Sequence, residues 1–119
     1  TADLDNELTK VETPPPVVRE AKDAIAQSLN EGAPRAADIA KGLGMSVRTF
    51  HRRLSDHGLN FQTLTEDTRR ELAEVLLRDQ QYSLAEVAFL TGFSEQSSFT
   101  RAFKRWIGTT PASYRRART

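Results

Sequence analysis

Residues 83–114 contain two amphipathic segments on either side of a glycine, and this pattern constrains the fold more than any other feature of the chain. The first segment places apolar side chains at helical spacing: Leu84, Val87, Ala88 and Leu90. Gly92 provides the backbone freedom that the end of a helix needs, and Ser94 is a good cap for the next helix. The second segment repeats large apolar groups at i, i+4 and i+7, namely Phe99, Phe103 and Trp106. The spacing predicts a helix-turn-helix.

The face of the second segment that should point away from the core is polar and basic. It carries an amide, hydroxyls and cationic groups: Gln96, Ser97, Thr100, Arg101, Lys104 and Arg105. Such side chains hydrogen-bond to base edges and phosphates when a helix lies in the major groove of DNA. The pattern therefore favours a DNA-binding helix.

A second copy of the pattern occurs earlier in the chain. At an offset of 48 residues, Ala40 matches Ala88 and Gly44 matches Gly92. At the pair Phe50 and Phe99 the offset becomes 49, so the later copy has one extra residue near the start of its second helix. One copy could belong to an ordinary helical hairpin, but two copies in a short chain favour a tandem DNA-binding protein.

The segment GFSEQSSFTRAFKRWIGTTPASYR resembles the signature of the AraC/XylS family of bacterial transcription regulators. The earlier segment ADIAKGLGMSVRTFHRRL fits the same family less specifically, and the resemblance covers roughly residues 17–116. The resemblance implies an all-α fold of about seven helices, in which two helix-turn-helix lobes are joined by a long central helix.

Domain boundaries follow from composition and from this resemblance. Residues 1–16 have no apolar period and end in Pro14-Pro15-Pro16, which favours an extended linker. The predicted DNA-binding domain comprises residues 17–119, divided into a first lobe, a connecting helix and a second lobe at 17–58, 59–80 and 81–119. In the family this domain commonly follows an effector-binding or dimerisation domain. We therefore expect a C-terminal fragment, with a small free-standing regulator as the alternative.

Helical spacing predicts the remaining elements. The first helix should extend from Val17 or Val18 to about Asn30 and bury Val18, Ala21, Ile25 and Leu29. Shorter helices are expected near 35–41 and 112–116, and Ser46 should cap a first recognition helix that ends near residue 57. The long helix pairs Glu66 with Arg70 and Arg70 with Glu74 at i, i+4. Its residues 61–79 would span roughly 28 Å, which suits two recognition helices about one DNA turn apart.

Composition excludes several other classes of protein. The net charge is +1, but residues 1–31 hold seven acidic and three basic side chains, whereas six basic residues and no acid follow Phe99. Such a basic half suits contact with phosphates. The chain has no cysteine and no apolar run of membrane-spanning length, which agrees with a cytoplasmic location. His51 and His57 lack partners at metal-ligand spacing, and no nucleophile–base motif is present, so we expect no enzyme activity, metal or cofactor.

The family pattern places base-contacting side chains on both recognition helices: Arg48, His51, Arg52, Gln96, Ser97, Thr100 and Arg101. Predicted phosphate contacts are Ser46, Thr49, Lys104, Arg105 and Arg115. The chemistry agrees, since arginine donates bidentately to guanine and glutamine pairs with adenine. The alternatives are a surface ion pair of Arg52 with Asp56, a bond of Arg101 to the backbone or to a neighbouring acid such as Glu95, and solvated charges at residues 104 and 105.

The sequence therefore predicts sequence-specific binding of double-stranded DNA by two helix-turn-helix motifs in adjacent major-groove segments. We expect transcription regulation, with activation favoured and RNA polymerase as a further partner. Any effector should bind to a domain outside this chain. The alternative is a helical protein-interaction module that has lost DNA binding and uses the long helix around Arg69, Arg70 and Glu74.

Overall fold

The computed structural model describes residues 15–118, so most of the predicted linker, residues 1–14, lies outside the described residues, as does Thr119. Seven α-helices and one 3-10 turn, with no β-strand, make up the described range. The helices are α1 (Pro16–Ser28), α2 (Ala36–Gly42), α3 (Val47–Asp56), α4 (Phe61–Arg78), α5 (Leu84–Leu90), α6 (Gln96–Ile107) and α7 (Pro111–Ala117), and the 3-10 turn (Leu29–Glu31) follows α1. This architecture confirms the predicted all-α fold class.

The first lobe packs α1, α2 and α3 against the N-terminal half of α4. Its core contains the predicted apolar stripe of α1 together with fully buried Phe50 and Leu54 from α3 and nearly fully buried Leu64 from α4. Helix α1 begins at Pro16, slightly earlier than predicted. Proline is favoured at the first helical position, because its φ is already helical and its missing N–H would have no partner there.

The second lobe packs α5, α6 and α7 against the C-terminal half of α4. Its core consists of Ala73, Leu77, Val87, Ala88, Phe99, Phe103 and Tyr114. The rings of Phe103 and Tyr114 meet edge to face with centroids 5.3 Å apart, and Tyr114 is 3% exposed. Tyr114 therefore packs into the core beneath this lobe.

Helix α4 contributes to both cores and is the only helix that does so in the described range. Its 18 residues correspond to about 27 Å of helix. Asn60 caps it, since the backbone N–H of Thr63 donates to the Asn60 side-chain oxygen at 2.8 Å. No helix in residues 15–118 is long and apolar enough to cross a membrane.

Of the two ion pairs predicted along α4, one forms. Arg70 Nη1 lies 3.1 Å from Glu74 Oε1, as predicted. The pair of Glu66 with Arg70 does not form. Glu66 instead accepts a hydrogen bond from the indole N–H of Trp106 at 3.2 Å and lies 3.6 Å from Arg105 Nη2. The aromatic and cationic groups of α6 thus draw this carboxylate away from its own helix.

Candidate nucleic-acid interface

The first helix-turn-helix consists of α2, a turn at Gly44 and α3. Gly44 has a positive φ of 75°, and the N–H of Met45 donates to the carbonyl of Ala40 at 2.9 Å, which closes the turn. Ser46 caps α3 as predicted, because its hydroxyl oxygen accepts from the Thr49 N–H at 3.1 Å. The Ser46 hydroxyl also donates to Thr49 Oγ1 at 3.1 Å. Local hydrogen bonds therefore set where α3 begins.

The polar face of α3 is open to solvent. Arg48, His51 and Arg52 are exposed, and Thr49 is half-buried. Because they lie at i, i+3 and i+4, the three exposed side chains share one face of the helix. Within residues 15–118, Arg52 has no carboxylate within 4.0 Å, so the alternative ion pair with Asp56 does not form.

The second helix-turn-helix repeats this geometry with α5, a turn at Gly92 and α6. Gly92 has a φ of 94°, and the N–H of Phe93 donates to the carbonyl of Ala88 at 3.0 Å. Helix α5 starts with a capping box, in which Ser83 and Glu86 bond each other's backbone N–H at 3.0 and 2.8 Å. The hydrogen bond from the Ser83 N–H lowers the pKa of the Glu86 carboxyl, and the Ser83 side chain adds to this effect.

The predicted cap of α6 is wrong by one residue. The sequence predicts Ser94 as the cap, but α6 begins at Gln96, its N-cap position is Glu95, and the Glu95 side chain does not cap it. The extra residue of the second copy explains the difference. Ser94 corresponds to Ser46 at the offset of 48, whereas the helix itself follows the offset of 49. The first N–H groups of α6 are consequently left without a side-chain partner.

The polar face of α6 is also open. Gln96, Ser97, Arg101 and Lys104 are exposed, and Thr100 is half-buried. Among the described residues, Arg101 hydrogen-bonds only to Ser98, with 3.5 Å between Nη2 and Oγ, and it forms no ion pair with Glu95. A contact of that length is weak, so the guanidinium keeps its hydrogen-bonding capacity. Arg105 has a side chain that is 66% exposed despite its proximity to Glu66.

Aromatic side chains form the inner face of the second motif, as predicted. Phe99 and Phe103 are fully buried, while Phe93 and Trp106 are partly buried and pack on the same core. The Phe93 ring lies 5.7 Å from that of Phe99 and 6.1 Å from that of Trp106, centroid to centroid. These rings therefore hold α6 in place with its polar stripe outward.

Arg115 differs from the other predicted phosphate ligands. Its Nε donates to the carbonyl of Leu77 at 2.8 Å, and its Nη2 donates to the carbonyl of Asp79 at 3.2 Å. These acceptors lie at the C-terminal end of α4, where carbonyls lack helical partners. Two of the Arg115 donors are thus engaged within the protein, which makes it the least suited of the five predicted phosphate ligands.

The alternative interaction module predicts that Arg69 lies on its exposed contact surface, and this prediction is wrong. The side chain points to the turn of the second motif, where it donates to the carbonyls of Thr91 and Gly92 at 2.9 and 2.8 Å. Arg70 and Glu74, its companions on that surface, are partly buried in their own ion pair. No local pattern reveals Arg69, because its partners lie 22 and 23 residues away.

Known proteins with similar sequences also contain helix-turn-helix domains. The sequence model of a helix-turn-helix domain family matches residues 39–117. The ornithine utilization regulator of Pseudomonas aeruginosa is 39% identical over 84 residues, which are 71% of this chain and 25% of that protein. The chain spans about a quarter of the length of the curated relatives that it matches.

Several solved structures share the fold, and two of them illustrate the match. One is the DNA-binding domain of AdpA, a global transcriptional factor, in complex with a target DNA. It has a TM-score of 0.62 and 32% identity, covering 82% of this chain and 91% of that one. The other is a regulator with an AraC-type DNA-binding domain from Chromobacterium violaceum, with a TM-score of 0.74 at 24% identity, covering 87% and 93%.

Both exposed polar stripes lie within residues 39–117, which the family model matches, and each is on the second helix of a helix-turn-helix. The chain belongs to the AraC/XylS family of helix-turn-helix, DNA-binding transcription regulators, which is not an enzymatic family.

Proposed function

We propose that this chain recognises a specific double-stranded DNA site by placing α3 and α6 in adjacent major-groove segments. The observation that carries the proposal is the state of the two polar stripes. Each stripe is exposed on a helix whose other face is fixed in a core, and the arginines Arg52 and Arg101 form no ion pair within residues 15–118. Unpaired guanidinium groups on a rigid helix are available to donate to base edges.

Base contacts are assigned to the exposed stripes: Arg48, His51 and Arg52 on α3, and Gln96, Ser97, Thr100 and Arg101 on α6. Arginine can donate two hydrogen bonds to guanine, and glutamine can pair with adenine. Hydroxyl groups can bond several base edges, and the threonine methyl can pack against that of thymine. Two stripes of this kind read more base pairs than one, which supports selection of a site.

Phosphate contacts are assigned to Ser46, Thr49, Lys104, Arg105 and Arg115. The hydroxyls of Ser46 and Thr49 lie at the N-terminus of α3, where the helix dipole favours an anion. Lys104 and Arg105 lie in the last turn of α6 and are exposed. Arg115 would have to add a phosphate to its existing bonds to α4. These contacts would make binding dependent on salt concentration.

We infer further that the regulation is activation, the mode that the resemblance to the family favours, and that RNA polymerase is a second partner. In this proposal the protein acts in the cytoplasm, and any effector binds to a domain outside this chain. A reporter gene placed downstream of the selected site tests the direction of control. Higher transcription with the protein supports activation, and lower transcription contradicts it.

The test of DNA recognition is a fluorescence-anisotropy titration on a duplex selected from a random pool and on a scrambled duplex. We expect Arg52→Ala and Arg101→Ala each to weaken binding to the selected duplex about 5- to 150-fold, the equivalent of roughly 1–3 kcal/mol. Binding to the scrambled duplex should change far less. Arg19→Ala is the matched control, since it removes one exposed positive charge from α1, outside both stripes.

Three outcomes separate the possibilities. If both substitutions relax the preference for the selected duplex, both lobes read sequence. If only Arg101→Ala does so, the first lobe is a backbone clamp and the two-reader proposal is wrong. If the folded wild-type protein shows no preference for the selected duplex, the chain is not a DNA reader on its own, and the protein-interaction alternative becomes the better one.

A further inference from the structure

We propose that Arg69 sets the orientation of the second recognition helix relative to the first, and thereby the spacing of DNA half-sites that the chain accepts. The orienting role stands on contacts within the protein. Its consequence for half-site spacing rests on the proposed function. Arg69 touches no DNA in this proposal and acts through the turn that precedes α6, so it is a positioning residue.

Arg69 projects from the middle of α4 and engages three successive residues of the second turn. Its Nε donates to the Thr91 carbonyl at 2.9 Å and its Nη2 to the Gly92 carbonyl at 2.8 Å. Its guanidinium carbon lies 4.5 Å from the centroid of the Phe93 ring. The planar, forked guanidinium group permits these contacts together, and an ammonium group could not reproduce them.

The two acceptors lie at the C-terminal end of α5, where carbonyl groups lack helical partners and a positive charge is favoured. Thr91 is fully buried, so water cannot supply the missing donors there. Burial lowers the pKa of Arg69, while the nearby Glu66 carboxylate raises it. An arginine remains charged under such a shift, because its ordinary pKa lies far above neutral pH. The hydrogen bonds from Arg69 to the two carbonyls are therefore charge-assisted.

The first lobe contacts the second lobe at the turn that contains Gly92. A Cβ built on Gly92 would lie 2.8 Å from Arg69 Nη2 and 3.2 Å from Cδ2 of Leu29. Leu29 is fully buried in the first core. Leu29, Arg69 and Gly92 thus form a three-way junction between the first lobe, α4 and the turn that leads into α6.

A second set of contacts from α4 involves the C-terminal end of α6. Glu66, about one turn before Arg69, accepts from the Trp106 indole N–H at 3.2 Å and lies 3.6 Å from Arg105 Nη2. Arg69 therefore holds the start of α6 through its turn, and Glu66 holds the end of the helix. A helix held at both ends cannot pivot about its buried aromatic face.

Two recognition helices held at a fixed orientation bind a composite site better than two that move independently, because the second contact is already aligned when the first forms. Loss of the Arg69 hydrogen bonds would lower the affinity for a DNA site with correctly spaced half-sites. It would also reduce the loss of affinity that follows when the spacing of the half-sites is changed. Arg70 offers a matched control, since it is the next residue on α4 and pairs with Glu74 and Glu71 away from the turn.

The orienting role is tested without DNA by a distance measurement between spin labels. The chain has no cysteine, so cysteines introduced at the exposed Ser55 of α3 and Lys104 of α6 would be the only labelled sites. We expect a narrow distance distribution in the otherwise unchanged protein and in Arg70→Gln, and a broad one in Arg69→Gln. A narrow distribution in folded Arg69→Gln would overturn the inference.

If Arg69→Gln does not fold, Arg69→Lys takes its place, because lysine keeps the charge and the aliphatic stem but cannot bond both carbonyls in the same geometry. We then expect a distribution broader than that of the unchanged protein. A distribution as narrow as in the unchanged protein would count against the orienting role.

The consequence for DNA is tested on the selected duplex with and without one inserted base pair between its half-sites. We expect the insertion to weaken wild-type binding about tenfold and Arg69→Gln binding less than about threefold. An equal penalty in both proteins contradicts the role in spacing. If the wild-type protein shows no selective binding, the proposed function fails, and the spin-label distances still decide whether Arg69 orients the lobes.

Discussion

Gly92 and Gly108 have the same positive φ of 94° but differ in their surroundings. A side chain at position 92 would meet Arg69 and Leu29, whereas a Cβ at position 108 would have no neighbouring heavy atom of residues 15–118 within 4 Å. Substitution of these two glycines can therefore distinguish the free-energy cost of a positive φ from the cost of a steric clash.

Substitution of these glycines by alanine should destabilise the protein unequally. We expect Gly108→Ala to lower the free energy of unfolding by about 1–2 kcal/mol, the cost of an L-residue in this conformation. Gly92→Ala should lower it by about 2–5 kcal/mol, because overpacking adds roughly 1–3 kcal/mol. Urea denaturation measures both values. Equal losses would show that the junction around Gly92 adjusts at no cost.

Arg115 should contribute to stability more than its exposed neighbours do. We expect Arg115→Ala to lower the free energy of unfolding by about 1–3 kcal/mol, since hydrogen bonds from a charged donor to the end of α4 are lost. Arg78→Ala, which removes an exposed arginine from α4, is the control and should change stability little. A loss of DNA affinity from Arg115→Ala without a loss of stability would instead support the predicted phosphate contact.

The partners of single residues could be predicted where they are local in sequence. The cap formed by Ser46 and the pair of Arg70 with Glu74 each involve residues three or four apart, within reach of helical periodicity. The hydrogen-bond partners of Arg69, Arg115 and Glu66 lie 22 to 40 residues away. Such contacts depend on how the helices pack, which a pattern along one helix does not contain.

At the scale of elements, the long helices and both turns could be predicted from apolar period and glycine position, whereas the number of helices comes from the resemblance to the family. The start of α6 could not, because two signals compete there. Ser94 is a favourable cap, yet the helix begins where Phe99 and Phe103 can enter the second core. Burial of two aromatic rings outweighs a cap of about 1 kcal/mol, so α6 begins without one.

Stability should therefore respond in opposite directions to changes at the two N-cap positions. We expect Ser46→Ala to lower the free energy of unfolding by about 1 kcal/mol, because α3 loses its cap. Glu95→Ser should raise it by about 0.5–1 kcal/mol by capping α6. Thermal and urea denaturation measure both variants. No gain from Glu95→Ser would mean that the first N–H groups of α6 cannot reach a side chain at position 95.

For the molecule as a whole, the distribution of charge matters more than its sum. The net charge is +1, but the last turn of α6 presents Lys104 and Arg105 to solvent. Phosphate contacts release counterions and carry no sequence information, whereas base contacts discriminate between sites. The two kinds of contact should therefore be separable by experiment.

Removal of one phosphate contact should change the salt dependence of DNA binding without changing site preference. We expect Lys104→Gln to reduce the slope of log K against log salt by about 0.9 and to weaken selected and scrambled duplexes alike. Arg101→Ala should instead reduce the preference for the selected duplex. Anisotropy titrations at several salt concentrations provide both quantities. An unchanged slope for Lys104→Gln would remove this residue from the phosphate contacts.

The two copies of the helix-turn-helix are not equivalent. Helix α3 has 10 residues and a serine cap, whereas α6 has 12 residues, no side-chain cap and a different set of exposed side chains. One chain that reads DNA with both helices therefore needs no palindrome. Under the proposed function the DNA site is asymmetric, so inverting the site relative to a gene would reverse the orientation of the whole protein on the DNA.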